Sequence, residues 1–411
     1  MRLTARPDGC TLNSHVIALD ELGGLQTLFV SFAARMAQRD IRFEVVNRAR
    51  GNLETYARNV LEGAGVDARS PSRHLLAAAK RLGVGVDSRV AKALNIVTLR
   101  MALERGSRSK NVVLWNVLPS RHLLPGGSNV VVYDHGLSSL KRPYRDRRES
   151  LTRASGLIAI SRANEFILRE RWDWQGRIDV IMNPLRGPIA EAALVDKARS
   201  SDRIILGCAS RLISKKGIAS AVHAVKILKD RGRNAQLRIA GDGPEADVLR
   251  KIADDLNLGD RVVLLGAQHD MVEFYNGIDV MIAPSLREPF GLTPLESLAM
   301  GVPTILSAVD GHPEVLPFEG AATLIEPTLP IARYLDLGAS AQDLPEFVYS
   351  PSRGQTTATR ALDPADIADA VAAIADDFGT AARTARKAGA AIRQRNAIDP
   401  YVDQIVEATR G

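Results

Sequence analysis

Short apolar runs recur along this chain, each followed by a longer amphipathic stretch, and few architectures accommodate that alternation. Strands buried on both faces of a parallel sheet read as continuous apolar runs, and crossover helices fill the stretches between them. In the front half the runs are His15 to Leu19, Phe43 to Asn47, Asn111 to Trp115, Val130 to Tyr133, Leu157 to Ile160 and Ile178 to Met182. The pattern begins again with Arg203 to Cys208, Gln236 to Ala240, Val262 to Leu265, Val280 to Ala283 and Thr304 to Ser307, with helical patterns at Ala219 to Asp230 and Glu245 to Leu256. A chain of 411 residues is long enough for two cores. The expected fold class is therefore α/β, with two Rossmann-like doubly wound domains facing a central cleft and ligands outside the carboxyl ends of the strands. The expected boundaries are 1–184 for the first domain, 185–202 for a linker and 203–390 for the second domain. The linker lies near Asn183-Pro184-Leu185-Arg186-Gly187-Pro188, where two prolines and a glycine interrupt regular structure. Residues 391–411 read as a terminal helix packing back on the first domain.

Charge is distributed unevenly. Residues 1–185 carry 29 Lys and Arg against 17 Asp and Glu, a balance of +12, which leaves −5 for the remainder. The densest basic patch, Lys141-Arg142-Pro143-Tyr144-Arg145-Asp146-Arg147-Arg148, suits an anionic membrane surface, a lipid head group, a nucleic acid or a phosphorylated acceptor, or is simply a solvated face. No nucleic-acid docking module accompanies it, so nucleic acid is not an expected partner. No run approaches the ~20 apolar residues of a membrane span, and the N-terminus has no signal-peptide core. The expected location is the cytoplasm, with peripheral attachment at the inner face of the cell membrane. Cys10 and Cys208 lie far apart without metal-ligand spacing and read as structural thiols.

Two motif groups carry chemistry. Arg211 and Lys216, in Ser210-Arg211-Leu212-Ile213-Ser214-Lys215-Lys216-Gly217, follow an apolar run and precede a helical one. They are surface charges or phosphate readers; in the second role a guanidinium forks across phosphate oxygens while an ammonium adds a compact charge. Glu288 and Glu296 stand eight positions apart in Arg287-Glu288-Pro289-Phe290-Gly291-Leu292-Thr293-Pro294-Leu295-Glu296, a spacing that suits a polyol ligand. Glu296 is also the last residue of a capping box begun by Thr293. Gly23-Gly24 after the first run is either a tight loop or an anion site at a helix start. Gly241-Asp242-Gly243-Pro244-Glu245 reads as a structural strand end and turn. Hydroxyl readers together with phosphate readers point to a nucleotide sugar.

In order and spacing, Gly23-Gly24, Arg211 with Lys216-Gly217, Gly241 to Glu245, Pro284-Ser285, Glu288 to Glu296 and Gly311-His312-Pro313-Glu314-Val315-Leu316 together resemble the large family of retaining GT-B glycosyltransferases that build bacterial surface glycans and glycolipids. The likeness is strong over 203–327 and looser over 11–184. It implies that Arg211 and Lys216 hold a donor diphosphate, that Glu296 binds ribose hydroxyls and that Glu288 meets the transferred sugar. The backbone around Phe290, Gly291 and Leu292 would touch sugar and phosphates. Gly24 would close the phosphate site from the first domain, and His135, in Tyr133-Asp134-His135-Gly136, would lie near the donor sugar.

The resemblance further implies a UDP- or GDP-sugar as donor and a glycan, glycolipid or polyprenyl-linked molecule as acceptor. It implies retention of the anomeric configuration, with neither a metal nor any other cofactor. No Asp-x-Asp pair is present and the histidines are scattered, so the expected metal ligands are none. A non-catalytic nucleotide-sugar-binding protein of the same fold is the alternative. Two departures stand out. Arg39-Asp40 ends the first helical pattern where the family often has Gly-His, and an insertion at about 328–361 delays the Asp363-Pro364 helix start. That insertion, with Tyr334, Phe347 and Tyr349, would fold over the cleft, pack on a partner or form a peripheral ornament.

Overall fold

The apolar runs form two parallel sheets. The computed structural model describes residues 13–17, 24–47, 55–66, 68–69, 111–116, 129–136, 148–149, 151–194 and 202–410. The chain divides into one unit of Met1–Ile160, Asn164–Pro184 and Ile398–Gly411, and another of Ser161–Ala163 and Leu185–Ala397.

In the first unit the strands are β1 (Asn13–Ile17), β2 (Phe43–Asn47), β3 (Ala68–Arg69), β4 (Asn111–Trp115), β5 (Asn129–Asp134), β6 (Gly156–Ala159) and β7 (Ile178–Val180), in the order β3-β2-β1-β4-β5-β6-β7. Every pairing is parallel. Among the described residues three helices accompany them: α1 (Gly24–Gln38), α2 (Thr55–Gly63) and α3 (Arg162–Glu170). The strand runs are apolar because the middle strands are covered on both faces; β6 is buried along its whole length.

A ring cluster fills the core here. His15, Phe29, Phe32 and Trp115 meet with centroids 4.9 to 6.1 Å apart, and Phe32 and Tyr133 also approach Tyr401 of the C-terminal helix, Ile398–Ala408. Arg35 forks onto Asp399 of that helix at 2.7 and 2.6 Å, so the chain's last helix is pinned to α1 by charge as well as by ring packing. Asp40, just past α1, takes a left-handed φ of 54°. This is the helix-end conformation that glycine usually supplies, and aspartate is among the few other residues that tolerate it.

In the second unit the strands β8 (Ile204–Ala209), β9 (Ala235–Ala240), β10 (Val262–Gly266), β11 (Val280–Ala283), β12 (Thr304–Ser307) and β13 (Thr323–Ile325) lie in the order β10-β9-β8-β11-β12-β13, again all parallel. Sequence order reverses at β8. That reversal opens a crevice at the carboxyl ends of β8 and β11, the place where open α/β sheets bind ligands. The helices in chain order are α4 (Gly187–Glu191), α5 (Ile218–Asp230), α6 (Ala246–Asp255), α7 (Met271–Asn276), α8 (Leu292–Ala299), α9 (Ile331–Asp336), α10 (Pro364–Asp376) and α11 (Phe378–Arg395), with α12 (Ile398–Ala408) belonging to the first unit. Asp363 caps α10 by accepting from Ala365 N at 2.9 Å, and Pro364 occupies its first turn.

The insertion folds on its own unit. Its ends pair as an antiparallel bridge of β14 (Leu329–Pro330) with β17 (Arg360–Ala361), and its middle is the hairpin β15 (Phe347–Ser350) with β16 (Gln355–Ala358). Tyr334 on α9 is buried in the second unit's core and donates from its hydroxyl to Ser214 O at 2.9 Å. Of the readings the sequence left open, peripheral ornament is therefore set aside. Among the described residues no helix is long and apolar enough to cross a membrane.

Candidate functional site

Two loops at the carboxyl ends of β8 and β11 are pressed together by the geometry of one glycine. Gly217, with φ 71°, ends the 3-10 turn Ser214–Lys216, and a Cβ added there would lie 1.9 Å from Pro284 O. Only glycine permits that approach. It brings Lys216 Nζ onto Glu288 Oε2 as an ion pair in which the two side chains are 19% and 16% exposed. Burial alone would raise the Glu288 carboxyl, but Lys216, His312 and Lys215 together outweigh it and hold the group below the usual glutamate range.

Around this pair lies a small pocket, open to solvent and lined by Ala209, Ser210, Lys216, Ser285, Glu288, Thr293 and His312 among others. His312 is fully buried, and its ring is fixed. Ser307 Oγ donates to Ser285 O at 2.6 Å, so at His312 Nδ1 it can only accept, as does Ser307 O; both lie 3.1 Å away. The proton must therefore sit on Nδ1. Burial pulls the imidazole down to about 4, so Nε2 carries a lone pair at neutral pH. That Nε2 makes no hydrogen bond and lies 4.0 Å from Glu288 Oε2. Two acceptors thus face one space, which an O–H donor would satisfy.

Positive charge gathers on the same loops. Burial, with Lys216, Arg211 and Arg287 close by, pulls Lys215 below the usual lysine range. An anion here would relieve that crowding. Arg211 itself is exposed at the loop's start. The loop is held from below by Gly241 and Gly243, whose added Cβ atoms would lie 1.8 Å from Ser210 O and 2.4 Å from Leu212 O. Gly241→Ala is expected to push that loop outward and cost about 2 kcal/mol, measurable by urea unfolding.

Helix α8 opens toward the pocket. Its N-cap is Gly291 with φ 107° and no side-chain cap, so its first-turn N–H groups have no side-chain acceptor, and Thr293 of that turn lines the pocket. Phe290 is buried and Leu292 is half-buried. The capping box expected from Thr293 to Glu296 does not form. The helix begins two residues earlier than that reading requires, which turns Glu296 inward to full burial. Its carboxylate takes Arg186 Nε and Nη2 as a fork and accepts from Tyr275 OH at 3.0 Å. Burial and that carboxylate keep the Tyr275 phenol well above its usual range, so it remains a neutral donor.

The remaining expected residues lie in the first unit. His135 follows β5, stacks on Trp115 at 5.7 Å and 19°, and has a buried Nε2 without a hydrogen bond. Burial pulls it down to about 3, so it is a neutral ring. Gly24 is the exposed first residue of α1, whereas Gly23 lies outside the described residues, as does Cys10. Cys208 in β8 is buried, and burial pushes its thiol up to about 12, as expected of a structural group. His312 in the pocket, Lys215 on its loop, and Arg186 and Tyr275 at Glu296 are residues that sequence reasoning did not single out. Lys215 adjoins an assigned lysine and His312 lies inside a quoted motif, so both had a signal; Arg186 and Tyr275 had none.

Residues 191–336 match the family model described as Glycosyl transferases group 1. The chain is 32% identical over 154 residues to the lipopolysaccharide core biosynthesis glycosyltransferase LpsD of Rhizobium meliloti, a match covering 37% of this chain and 44% of LpsD. The matched stretch thus spans less than half of that relative. Among solved structures, HepE of Anabaena in complex with UDP and glucose superposes with a TM-score of 0.68 at 17% identity, covering 97% of this chain and 98% of HepE. A glycosyltransferase from Rickettsia africae superposes with a TM-score of 0.68 at 12% identity, covering 98% of each chain. At such identities the structures speak for the fold, and the sequence match speaks for residues 191–336. Over residues 191–336 this chain is similar to the group 1 glycosyltransferases, and its two Rossmann-like domains have the GT-B fold.

Proposed function

We propose that this chain is a retaining, metal-independent glycosyltransferase that moves a hexose-like unit from a UDP- or GDP-sugar to a glycan, glycolipid or polyprenyl-linked acceptor in bacterial surface polysaccharide synthesis. The observation that carries the reading is the Lys216–Glu288 pair, set beside the His312 lone pair at the crevice between β8 and β11. Cations and acceptors meet there, as a ligand that is anionic at one end and hydroxyl-rich at the other requires. In this reading Arg211 and Lys216 hold the diphosphate, Glu288 meets the sugar, and the amides of Phe290, Gly291 and Leu292 receive sugar and phosphate oxygens. Glu296 serves the ribose.

The anomeric C–O bond to phosphate breaks while the acceptor oxygen bonds to the same face. The acceptor's proton passes to the departing phosphate oxygen. Negative charge grows on the diphosphate as it leaves, so the cations stabilise the transition state more than the ground state.

A panel of UDP- and GDP-sugars tested by thermal shift identifies the donor. At a hundred times Kd a true donor adds about 2.7 kcal/mol and raises the midpoint by roughly 5–10 °C. Release of nucleoside diphosphate on adding acceptor, with the product anomer read by NMR, then tests turnover and retention. Binding without turnover would favour the non-catalytic alternative, and no shift with any sugar nucleotide would overturn the proposal.

Membrane attachment through the basic front half is part of the same reading. Arg148 is exposed, while Arg145 and Arg147 lie outside the described residues. Reversing all three charges should weaken sedimentation with anionic vesicles about tenfold or more at low salt, since each basic residue near such a surface contributes about 1 kcal/mol. Equal sedimentation of variant and wild type would remove the membrane from the account.

A further inference from the structure

The insertion meets the pocket loops at several buried points, and one carboxylate joins them. Asp310, in the loop after β12, is 4% exposed and holds a left-handed φ of 43°. Its Oδ2 accepts from Glu288 N at 3.0 Å and its Oδ1 from Tyr349 N of β15 at 2.8 Å, while its own N–H donates to Tyr349 O at 2.9 Å. One side chain thus ties the backbone of the candidate sugar-reading glutamate to the inserted hairpin. Arg287, next to Glu288, donates to Phe347 O on the same strand and places its guanidinium 5.2 Å from the Phe347 ring centroid. On the other loop, Tyr334 donates to Ser214 O at 2.9 Å, and Ser214 Oγ donates to Ser340 O. The insertion therefore grips both halves of the Lys216–Glu288 pair from behind.

We propose that the inserted segment is a positioning brace for the nucleotide-sugar pocket, and that Asp310 is the residue through which it sets Glu288. The identity of the pocket rests on the function proposed above; the brace itself is a statement about the loops. A carboxylate accepting two backbone N–H groups is a stiff joint, because both bonds are charge-assisted and both donors belong to otherwise separate segments. Burial, offset in part by Arg287 and by the two N–H donors, leaves the Asp310 carboxyl at about 6, so at neutral pH it is the ion that both amides require. Glu288, on the loop after β11, is the other charged group that acts on this joint.

Asp310→Asn keeps the shape and the tolerance for a left-handed φ but presents an N–H₂ to one of the two amides. It is the variant expected to stay folded, and Asp310→Ala is the harsher comparison. Two measurements on the full-length chain decide the proposal. In hydrogen exchange, Asp310→Asn should speed the Glu288 amide and the 286–292 stretch about tenfold, with α5 unchanged, the size expected when one charge-assisted hydrogen bond is lost. In calorimetry with UDP-glucose and GDP-mannose as probes, it should weaken Kd about tenfold in the wild-type background and less than twofold in a Glu288→Gln background, because a residue acting through Glu288 has little left to act on. Additive losses in the two backgrounds, or unchanged exchange at Glu288, would overturn the brace. If neither probe binds the wild type, the proposed function is what fails, and the exchange result alone still decides the brace.

Discussion

Lys216→Ala should abolish sugar transfer, lowering kcat by about 10²–10³ with the identified donor, and should also destabilise the second unit. On the proposed function, the catalytic part follows from removing a preorganised cation from the leaving group, typically about 3–4 kcal/mol of barrier in a dry site. The stability part follows from Glu288, whose side chain is only 16% exposed and would be left without its ion-pair partner. Breaking such a pair costs about 3 kcal/mol, at the lower end for buried pairs because some solvent still reaches this one. The pH dependence separates these effects. In the folded wild type the Glu288 carboxyl lies below its ordinary value, so it contributes stability that is present above the ordinary glutamate pKa and is lost as pH falls through the lowered one. Urea midpoints measured across that acid range should show this limb in the wild type and a flattened one in Lys216→Ala. A variant with normal turnover would remove Lys216 from the chemistry, and an unchanged acid limb would remove the ion pair from the stability argument.

Glu296→Ala should be the most destabilising single change at the site, lowering stability by about 3–5 kcal/mol and the thermal midpoint by roughly 6–20 °C. The carboxylate is fully buried and is the shared acceptor for the Arg186 fork and the Tyr275 hydroxyl. Its loss takes the opposing charge from a guanidinium 21% exposed and leaves a cavity beneath α8. Donor affinity should fall with it. Glu296→Gln is the discriminating partner: it retains one acceptor and the volume, so it should recover much of the stability while still weakening ribose recognition. Scanning calorimetry and donor titration on both variants provide the check. A stable Glu296→Ala would mean that Arg186 and Tyr275 find other acceptors at little cost.

The parts of the fold legible in the sequence were those set by local burial. The runs Asn111–Trp115, Val280–Ala283 and Thr304–Ser307 coincide with β4, β11 and β12, because strands covered on both faces admit few polar residues. The Asp363-Pro364 start of α10 was legible for a similar reason, since an N-cap and a first-turn proline act within a few residues. At the site, local reading misplaced the start of α8. Thr-Pro-Leu-Glu has the form of a capping box, but Gly291 at φ 107°, packed against Pro294 and His312, begins the helix two residues earlier and turns Glu296 inward. The short edge strand β13 left no clear run because none of its three residues is fully buried. The insertion could be seen as extra chain, but its destination could not, since Tyr334 and Tyr349 carry no mark of the loops they meet.

By itself the sequence determined the α/β class, the parallel sheets and the order in which loops carrying cations and carboxylates leave them. These properties follow from the periodicity of burial and from turn chemistry, both of which act over a few residues. Only the tertiary structure decided the partners. Lys216 meets Glu288 across 72 residues, Arg186 meets Glu296 across 110, and Asp310 meets the Tyr349 amide across 39. Those pairings depend on β8, β11 and β12 lying side by side, and on loops packed tightly enough that Gly217 has no room for a side chain. Strand adjacency is a property of the whole sheet, so no stretch of sequence announces which charge a buried side chain will face.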